Sequence, residues 1–380
     1  MKTPVGIFPA QVSAVVYREF MDSHQVSAAR LISQGLVDAT ASTTPTPLSV
    51  VRNLGCVQAQ ALGGALVSIA LRTGTSVTAV RAAMDAGDIV RSWTQRGTIH
   101  LVAADDLGWV LGLTGQRTLK SVAKRREVFG IDDAMVDAAA QLAEEAIRDR
   151  GPLARQELLD AFEPLQAGKE YGHERYLITT LALRNIIAQG PMVEGKDDMK
   201  YVLTADWIPN PIELDDEAAL HEWMTRYVLS HGPVTVEDAA RWTGLPKTPV
   251  RTALAAAVSA DEIVEVSIDG RDHYQAPELA DRLHEGRSRA NELLLLPGFD
   301  EIILGYKDRS ATLDPAHEKL VVPGGNGMFK NTLIDGTRAQ ATWKRSPRKT
   351  GPRLIIDPFD AQHVDVDRAE AVAASHPAFV

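Results

Sequence analysis

The amino-acid sequence predicts a mainly α-helical protein with a smaller amount of β-structure, an α+β fold built from repeated helical units that each end in a β-hairpin. Apolar residues recur at helical spacing over much of the chain, a Gly-Pro helix stop occurs twice, and short alternating strands follow the last helix of a unit. The 380 residues are enough for two or three domains, each with a hydrophobic core of its own.

The clearest repeat is marked by two Gly-Pro pairs, Gly151-Pro152 and Gly232-Pro233. Each pair follows an apolar stripe of helical period, one in residues 135–146 and the other in residues 220–228. Proline lacks a backbone donor and disfavours a helical conformation in the residue before it, so both helices are expected to stop there. A second and a third helix should follow, at 155–162 and 173–188 in the first copy and at 236–243 and 248–258 in the second.

A β-hairpin is expected after each third helix. In the later copy, residues 263–268 alternate in polarity, Asp269-Gly270 supplies a turn, and residues 271–275 return. In the earlier copy, residues 191–193 and 201–203 flank a polar loop. Three helices followed by a hairpin is the winged-helix pattern, a variant of the helix-turn-helix.

The N-terminal part fits the same pattern, with helices expected at 26–36, 48–54, 61–71 and 77–86 and a hairpin of 89–94 and 98–102. The sequence therefore predicts three tandem winged-helix modules, at residues 1–104, 105–208 and 215–277. A β-rich subdomain is expected at 291–380, because short β-like runs occur at 293–296, 301–304, 319–322, 332–334, 339–343 and 354–356.

Composition excludes several classes of protein. The single cysteine, Cys56, rules out an intramolecular disulfide and a cysteine-built zinc or iron–sulfur site. The sequence contains neither a phosphate-binding loop nor a dinucleotide-binding glycine motif, and no metalloprotease or serine-hydrolase signature. No cofactor and no metal are therefore expected. No apolar run approaches the length of a membrane span and no heptad repeat is visible, so we expect a cytoplasmic monomer.

Local charge differs from the net charge of −10. Between Asp38 and Asp105 the only acids are Asp85 and Asp88, and the stretch from Asp335 to Asp357 contains no acid between its ends. Basic residues are concentrated there and in one further cluster: Arg52, Arg72, Arg81, Arg91 and Arg96; Arg338, Lys344, Arg345, Arg348, Lys349 and Arg353; Lys120, Lys124, Arg125 and Arg126. Each cluster alone is typical of a solvated face, whereas three of them equally suit an anionic ligand.

Two glutamines stand out at the entrance of the helix predicted at 61–71. Gln58 and Gln60 are two residues apart, and in extended backbone this spacing sends both side chains to the same side. Their neighbours are small or apolar, so the two amides need hydrogen-bond partners. The pair is either a structural bridge or a holder of ligand and water, and the residues alone favour the bridge.

The hairpin at residues 91–100 carries Arg91, Trp93, Arg96 and His100 and no acid. An exposed hairpin tip seldom needs arginine for folding, so we expect Arg96 to reach a phosphate or a groove. Trp93 is expected to pack inward. A further charged group, Asp300, Glu301, Asp308 and Arg309, is compatible with an internal ion network or with the edge of a site.

Taken together, these residues resemble the AlkZ/YcaQ family of bacterial winged-helix DNA glycosylases. The matching segments occur in family order over roughly residues 27–345 and are Gln58-Ala59-Gln60, Arg96-Gly-Thr-Ile-His100, 295–300 with 305–310, 325–327 with 333–336, and 342–344. The resemblance implies three tandem winged helices in a C-shaped arrangement around duplex DNA, with both glutamines at the scissile glycosidic bond. DNA contacts are expected from Arg91, Trp93, Arg96, His100, Arg309, Lys344 and Arg345.

A glutamine pair implies a restricted chemistry. The amide neither gains nor loses a proton at neutral pH, so glutamine cannot be a general base, although two carbonyl oxygens can orient water and stabilise positive charge on the sugar. This suffices when the leaving group is already good, as in a cationic N-alkylated purine. We therefore expect excision of such bases from double-stranded DNA, including bulky or cross-linked adducts. The first alternative is a non-catalytic tandem winged-helix regulator or architectural protein, and the second is a scaffold whose winged helices contact only other proteins.

Overall fold

The structure, a computed structural model, describes residues 23–37, 44–165, 174–286, 289–325, 327–348, 351–360 and 364–380. The predicted features outside these ranges include Lys349, residue 173 of the helix expected at 173–188, residue 326 of the matching segment 325–327, and residues 1–22 of the module predicted at 1–104. Helices dominate and three antiparallel sheets accompany them, so the chain has the expected mixture of α and β structure.

The N-terminal unit contains the expected helices and hairpin. Its elements are α1 (Ser23–Ser33), α2 (Pro47–Leu54), β1 (Val57–Gln58), α3 (Leu62–Thr73), α4 (Val77–Asp85), β2 (Ile89–Trp93) and β3 (Ile99–Ala103). Helix α2 begins where Thr46 accepts a hydrogen bond from the Ser49 amide and Pro47 occupies the first turn. Helix α3 ends at Gly74, whose φ of 64° is readily adopted by glycine.

The second unit begins with a long helix. Its elements are α5 (Leu107–Val128), α6 (Asp133–Arg150), α7 (Arg155–Ala161), α8 (Glu174–Leu183), β4 (Ile187–Met192), β5 (Met199–Leu203) and α9 (Thr204–Trp207). The Gly151 amide caps α6 as expected. The helix predicted to reach residue 188 ends instead at Leu183, because Asn185 adopts a φ of 58° and the chain then enters β4.

The third unit matches its prediction closely. Its elements are α10 (Asp216–His231), α11 (Val236–Thr243), α12 (Lys247–Ser259), β6 (Val264–Ile268) and β7 (Arg271–Gln275), followed by α13 (Leu279–Gly286). Thr235 and Asp238 form a reciprocal cap at the start of α11. Strands β6 and β7 pair directly across the Asp269-Gly270 turn.

The C-terminal region is mixed. Its elements are β8 (Leu294–Leu296), α14 (Glu301–Leu304), α15 (Glu318–Val321), β9 (Thr332–Asp335), β10 (Arg338–Arg345), β11 (Leu354–Pro358) and α16 (Val366–Ser375). The β-like runs predicted at 301–304 and 319–322 were wrong, because both form short helices. Asp300 caps the first, and Pro315 begins a helical turn that leads into the second. Runs of four apolar residues do not distinguish strand from helix.

The first two hairpins share one sheet. Strands in the order β1-β3-β2-β4-β5 form an antiparallel sheet, joined across the two units where Arg91 pairs with Gln189. The C-terminal strands form a second sheet in the order β11-β10-β9-β8, and β6 with β7 forms a separate hairpin.

The largest apolar core joins the third unit to the C-terminal region. Trp223, Trp242, Tyr227 and Tyr306 are fully buried and pack against α14. Tyr227 donates a hydrogen bond to the Gly305 carbonyl (2.7 Å). The third unit and the C-terminal region are therefore packed together.

Candidate active site

The two glutamines contact each other beside the edge strand of the five-stranded sheet. Gln58 Nε2 donates to Gln60 Oε1 (3.0 Å), and the Gln60 amide donates to Gln58 Oε1 (3.3 Å). Gln58 is buried and Gln60 is exposed. The same-side arrangement expected from the spacing is confirmed, and the pair brings one solvent-facing carboxamide next to one held inside the protein.

Backbone pairing holds this loop on the hairpin. Gln58 lies opposite His100 in the β1–β3 ladder, and the Ala59 amide donates to the Ile99 carbonyl (2.8 Å). Helix α3 starts three residues after Ala59, at Leu62. The glutamine loop is therefore attached to strand β1 at one end and to the start of α3 at the other.

Arg91 braces the same loop from inside. Its Nε and Nη2 both donate to the Ala59 carbonyl, at 3.1 and 2.8 Å, and its Nη1 donates to Gln189 Oε1 at 2.6 Å. Gln189 Nε2 in turn donates to the Tyr201 hydroxyl (2.8 Å). Desolvation lowers the pKa of Arg91, opposed by the more distant Tyr201 and Asp198. Among the described residues no carboxylate forms an ion pair with this guanidinium.

The DNA contact expected from Arg91 is therefore corrected. Its side chain is buried and committed to the Ala59 carbonyl and Gln189, because strand β2 is covered on both faces. Sequence reasoning did not identify Gln189 or Tyr201. The only signal was an isolated glutamine within an otherwise apolar strand.

His100 is also corrected. Its side chain is fully buried, and Nδ1 lies 2.9 Å from Thr94 Oγ1 and 3.1 Å from the Thr98 carbonyl. A carbonyl only accepts, so Nδ1 carries the proton and Nε2 is a bare acceptor, which has no partner among the described residues. Desolvation, with a smaller contribution from Arg96, lowers the pKa of His100 to about 3. A buried, neutral histidine offers no hydrogen bond to a phosphate.

The hairpin tip rests on the third unit. Arg96 has an exposed side chain and a φ of 56°, and its Nη1 donates to the Trp242 carbonyl. Gly97 approaches α5 so closely that a Cβ there would lie 2.9 Å from Thr118 Cγ2. The expectation of a free tip is corrected: the tip is bound to the α11–α12 connection, although the arginine remains accessible to solvent. Trp93 is half-buried and packs inward as expected.

Of the remaining residues predicted to contact DNA, one lies mostly in the interior of the protein and two lie on its surface. Arg309 is nearly buried, where it donates to the Ile303 carbonyl (2.8 Å) and pairs with Glu318, so the expected surface contact is corrected to an internal one. Lys344 and Arg345 are exposed on β10. Arg345 Nη2 also donates to the Phe379 carbonyl (3.0 Å).

The acidic residues left open by the sequence have different surroundings. Asp300 is fully buried and binds Arg72 through both oxygens, at 2.8 and 2.9 Å. Burial would raise the pKa of Asp300, but the charge and hydrogen bonds of Arg72, with help from Ser68, lower it. Glu301 accepts from Trp242 Nε1 (2.9 Å) in the core, whereas Asp308 is largely exposed.

The N-terminal unit packs against the C-terminal region close to the glutamine loop. Helix α3 begins against the turn before α14, since a Cβ at Gly64 would lie 3.3 Å from the Gly298 carbonyl. In the described part of the chain, no group of three or more His, Cys, Asp or Glu side chains is arranged to hold a metal ion. No helix in these ranges is long and apolar enough to cross a membrane.

Known proteins match this chain over most of its length. The family model described as DNA glycosylase AlkZ-like matches residues 51–378. The interstrand DNA cross-link repair glycosylase of Streptomyces sahachiroi is 26% identical over 350 residues, which cover 87% of this chain and 90% of that protein. The solved structure of the Streptomyces sahachiroi DNA glycosylase AlkZ superposes with a TM-score of 0.73 at 25% identity, covering 93% of this chain and 95% of that chain.

These matches and the shared fold define the class of protein: this is a DNA repair glycosylase. Within that class, the chain belongs to the AlkZ-like DNA glycosylase family, whose model covers well over half of it. The family and the activity expected from the sequence are both confirmed.

Proposed function

We propose that this glycosylase hydrolyses the N-glycosidic bond of cationic N-alkylated purines in duplex DNA, using Gln58 and Gln60. The observation that carries the proposal is the direct contact between the buried carboxamide of Gln58 and the solvent-exposed carboxamide of Gln60. Their carbonyl oxygens orient the attacking water and stabilise the positive charge that develops on the sugar. An alkylated purine leaves as a neutral base, so its departure needs no acid.

Bulky and cross-linked adducts are part of the proposed substrate range. One relative is named an interstrand DNA cross-link repair glycosylase. Gln60 is exposed rather than enclosed. An open site accommodates a base that remains attached to a second strand, which a closed base-flipping pocket would exclude.

We propose that DNA is held by three tandem winged helices, at 1–104, 105–208 and 215–277, with the 291–380 region attached. Each of these units contains helices followed by a hairpin. The exposed cations Arg96, Lys344 and Arg345 are the members of the predicted contact set with surface available to phosphates. A monomer acting on nucleoid DNA is the form we expect.

The test is base release from duplex DNA carrying N7-methylguanine under single-turnover conditions. Gln58→Ala and Gln60→Ala are each expected to slow release by about 100-fold or more, since each removes one of two preorganised dipoles. Duplex affinity should stay near the wild-type value. Gln60→Asp is the matched control, because a carboxylate can also orient water, and it should retain part of the activity.

Release of N7-methylguanine at the wild-type rate by either alanine variant would make the pair a structural bridge. The substrate class is tested separately with duplexes that contain uracil or 8-oxoguanine. These neutral bases should stay in place, and their release at a comparable rate would contradict the leaving-group argument.

A further inference from the structure

The exposed face of α5 carries an unusual run of cations. Arg117, Lys120 and Lys124 are spaced three and four residues apart, which places them on one side of the helix, and all three are exposed. No acid occurs between Asp106 and Glu127 in the sequence. Within the described ranges, neither lysine forms an ion pair. This concentration of positive charge occurs in a protein whose net charge is −10.

Two further arginines extend this face at the end of α5. Arg175 Nη2 donates to the Tyr176 hydroxyl (3.0 Å), and its guanidinium lies 4.8 Å from that ring. The hydrogen bond from Arg175 lowers the pKa of the Tyr176 phenol most, and Arg125 lowers it further. Two guanidinium groups therefore act on one uncharged oxygen. Among the described residues no carboxylate forms an ion pair with either of them, so both guanidinium groups are available to an external anion.

The face is continuous with the candidate active site. Gly97 of the hairpin tip contacts Thr118 of α5, next to Arg117. Arg96 donates to the Trp242 carbonyl in the last turn of α11, and Arg117 donates to the Gly244 carbonyl just after α11 at 3.3 Å. Gln58 lies opposite His100, and His100 follows the tip of the same hairpin, residues Gln95–Gly97, on strand β3. Cations thus extend from the hairpin that carries the glutamine loop along the outside of the second unit.

We propose that the side chains of Arg117, Lys120, Lys124, Arg125 and Arg175, the α5 cationic face, bind the phosphate backbone of duplex DNA on one flank of the lesion. This deepens the proposed function and rests on it for the position of the lesion. Helix α5 has 22 residues and is about 33 Å long, close to one turn of B-DNA. A lysine ammonium group binds a phosphate as a point charge and does not distinguish one DNA sequence from another. The α5 cationic face therefore contributes to the affinity for duplex DNA independently of the DNA sequence, and this contribution weakens as the salt concentration rises.

The first experiment measures duplex affinity as a function of salt for Lys120→Ala/Lys124→Ala. Each phosphate contact contributes about 0.9 to the slope of log affinity against log salt, so the slope should fall by about 1.8. The Kd should rise roughly tenfold or more at low salt. Lys319→Ala/Lys330→Ala is the matched control, because it removes the same charge from two exposed lysines of the C-terminal region. An unchanged slope, or an equal change in the control, overturns the proposal.

Base release at saturating duplex separates this proposal from the proposed function. The Lys319→Ala/Lys330→Ala control should release N7-methylguanine at the wild-type rate, because neither lysine belongs to the α5 cationic face or to the glutamine pair. A wild-type protein that binds duplex with the expected slope but releases no base would contradict the proposed function alone.

A cleavage experiment locates the face on DNA. Cys56, the only cysteine, is fully buried, so Lys124→Cys introduces a single accessible thiol to which an iron–EDTA chelate can be attached. Hydroxyl radicals should cut the backbone on one flank of the N7-methylguanine. Cutting indistinguishable from that of a Lys319→Cys conjugate would place α5 away from DNA and overturn the proposal.

Discussion

Opposite each other in the ladder, Gln58 and His100 show how single side chains acquire roles that their identity does not specify. The Gln58 carboxamide donates to Gln60, and the Nδ1 of His100 donates within the turn, whereas its Nε2 has no hydrogen-bond partner in the part of the chain that the structure describes. A histidine usually titrates near pH 6.5, but here burial keeps the ring neutral down to about pH 3. The consequence is a pH-dependent stability that belongs to one residue.

We predict that His100 destabilises the folded protein as the pH falls below 6.5. The unfolded chain takes up a proton on this ring near pH 6.5, whereas the folded protein does so only near the lowered pKa of about 3. Between these values the unfolded state binds more protons, so the free energy of unfolding decreases by about 1.4 kcal/mol per pH unit on acidification. Above pH 6.5 this contribution is constant.

Urea unfolding of the wild type and of His100→Asn over this range checks the prediction. Asparagine can donate to the turn but does not titrate, so the difference in stability between the two proteins should change with pH by the amount stated. A difference that stays constant from pH 7 to pH 4 would mean that His100 is not held neutral.

At the scale of elements, the glutamine loop is positioned by strands from two units. Strand β2 contributes Arg91 and strand β4 contributes Gln189, and these residues are also ladder partners. Three N–H groups of one guanidinium thereby connect the Ala59 carbonyl with the second unit. The geometry of the two carboxamides depends on a contact between residues 98 positions apart.

We predict that Arg91→Lys slows base release by roughly 10- to 100-fold while DNA affinity changes little. Lysine keeps the charge but loses the fork of donors, so the loop shifts and the reacting groups are misaligned. Single-turnover rates and Kd, measured separately, check this expectation. Gln189→Leu should give a smaller effect in the same direction, since it removes only the brace of Arg91.

Combining Arg91→Lys with Gln60→Ala distinguishes a role of Arg91 in positioning the glutamine loop from general damage to the fold. In a Gln60→Ala background, Arg91→Lys should cause little additional loss of rate, because the group that it positions is already absent. If the losses of base-release rate in the two single variants add fully in the double variant, Arg91 supports the fold and does not position Gln60.

The hairpin tip leads to another prediction at this scale. The sequence alone predicts that Arg96→Ala leaves stability almost unchanged, but the structure shows a bond to the Trp242 carbonyl. We now expect a loss of about 1–2 kcal/mol, in addition to weaker binding of lesion DNA. Arg117→Ala, which removes a longer bond of 3.3 Å, is the comparison and should cost less. Equal thermal stability of the wild type and Arg96→Ala would mean that the bond to the Trp242 carbonyl does not stabilise the fold and that the hairpin tip is free.

At the scale of the whole molecule, one buried ion pair joins the ends of the chain. Arg72 on α3 and Asp300 before α14 are 228 positions apart, and each side chain is 1% exposed. Arg72 Nη2 also donates to Gln34 of the turn after α1 (2.7 Å), and Ser68 donates to Asp300 (2.6 Å). The interface between α3 and the C-terminal region is thus satisfied by a closed polar network.

We predict that Asp300→Leu lowers the free energy of unfolding by about 3–5 kcal/mol, because it leaves a buried guanidinium without its counter-charge. Arg72→Met/Asp300→Leu should recover most of this loss, since two apolar side chains replace the pair. Chemical denaturation of the single and double variants measures the difference. A double variant no more stable than Asp300→Leu would show that the pair contributes more than mutual neutralisation.

The sequence by itself determined helices α1–α4, α6–α8 and α10–α12, the three hairpins, the same-side placement of Gln58 and Gln60, and membership of the family. These features depend on short-range spacing, on turn residues such as Asp269-Gly270, or on motifs read in order. The sequence did not predict the long helix α5, and it assigned α14 and α15 to strands. Only the tertiary structure decided that the first two hairpins form one sheet and that Arg91, His100 and Arg309 face the interior. A strand buried on both faces has no alternating pattern, so the direction of its side chains depends on distant partners such as Gln189.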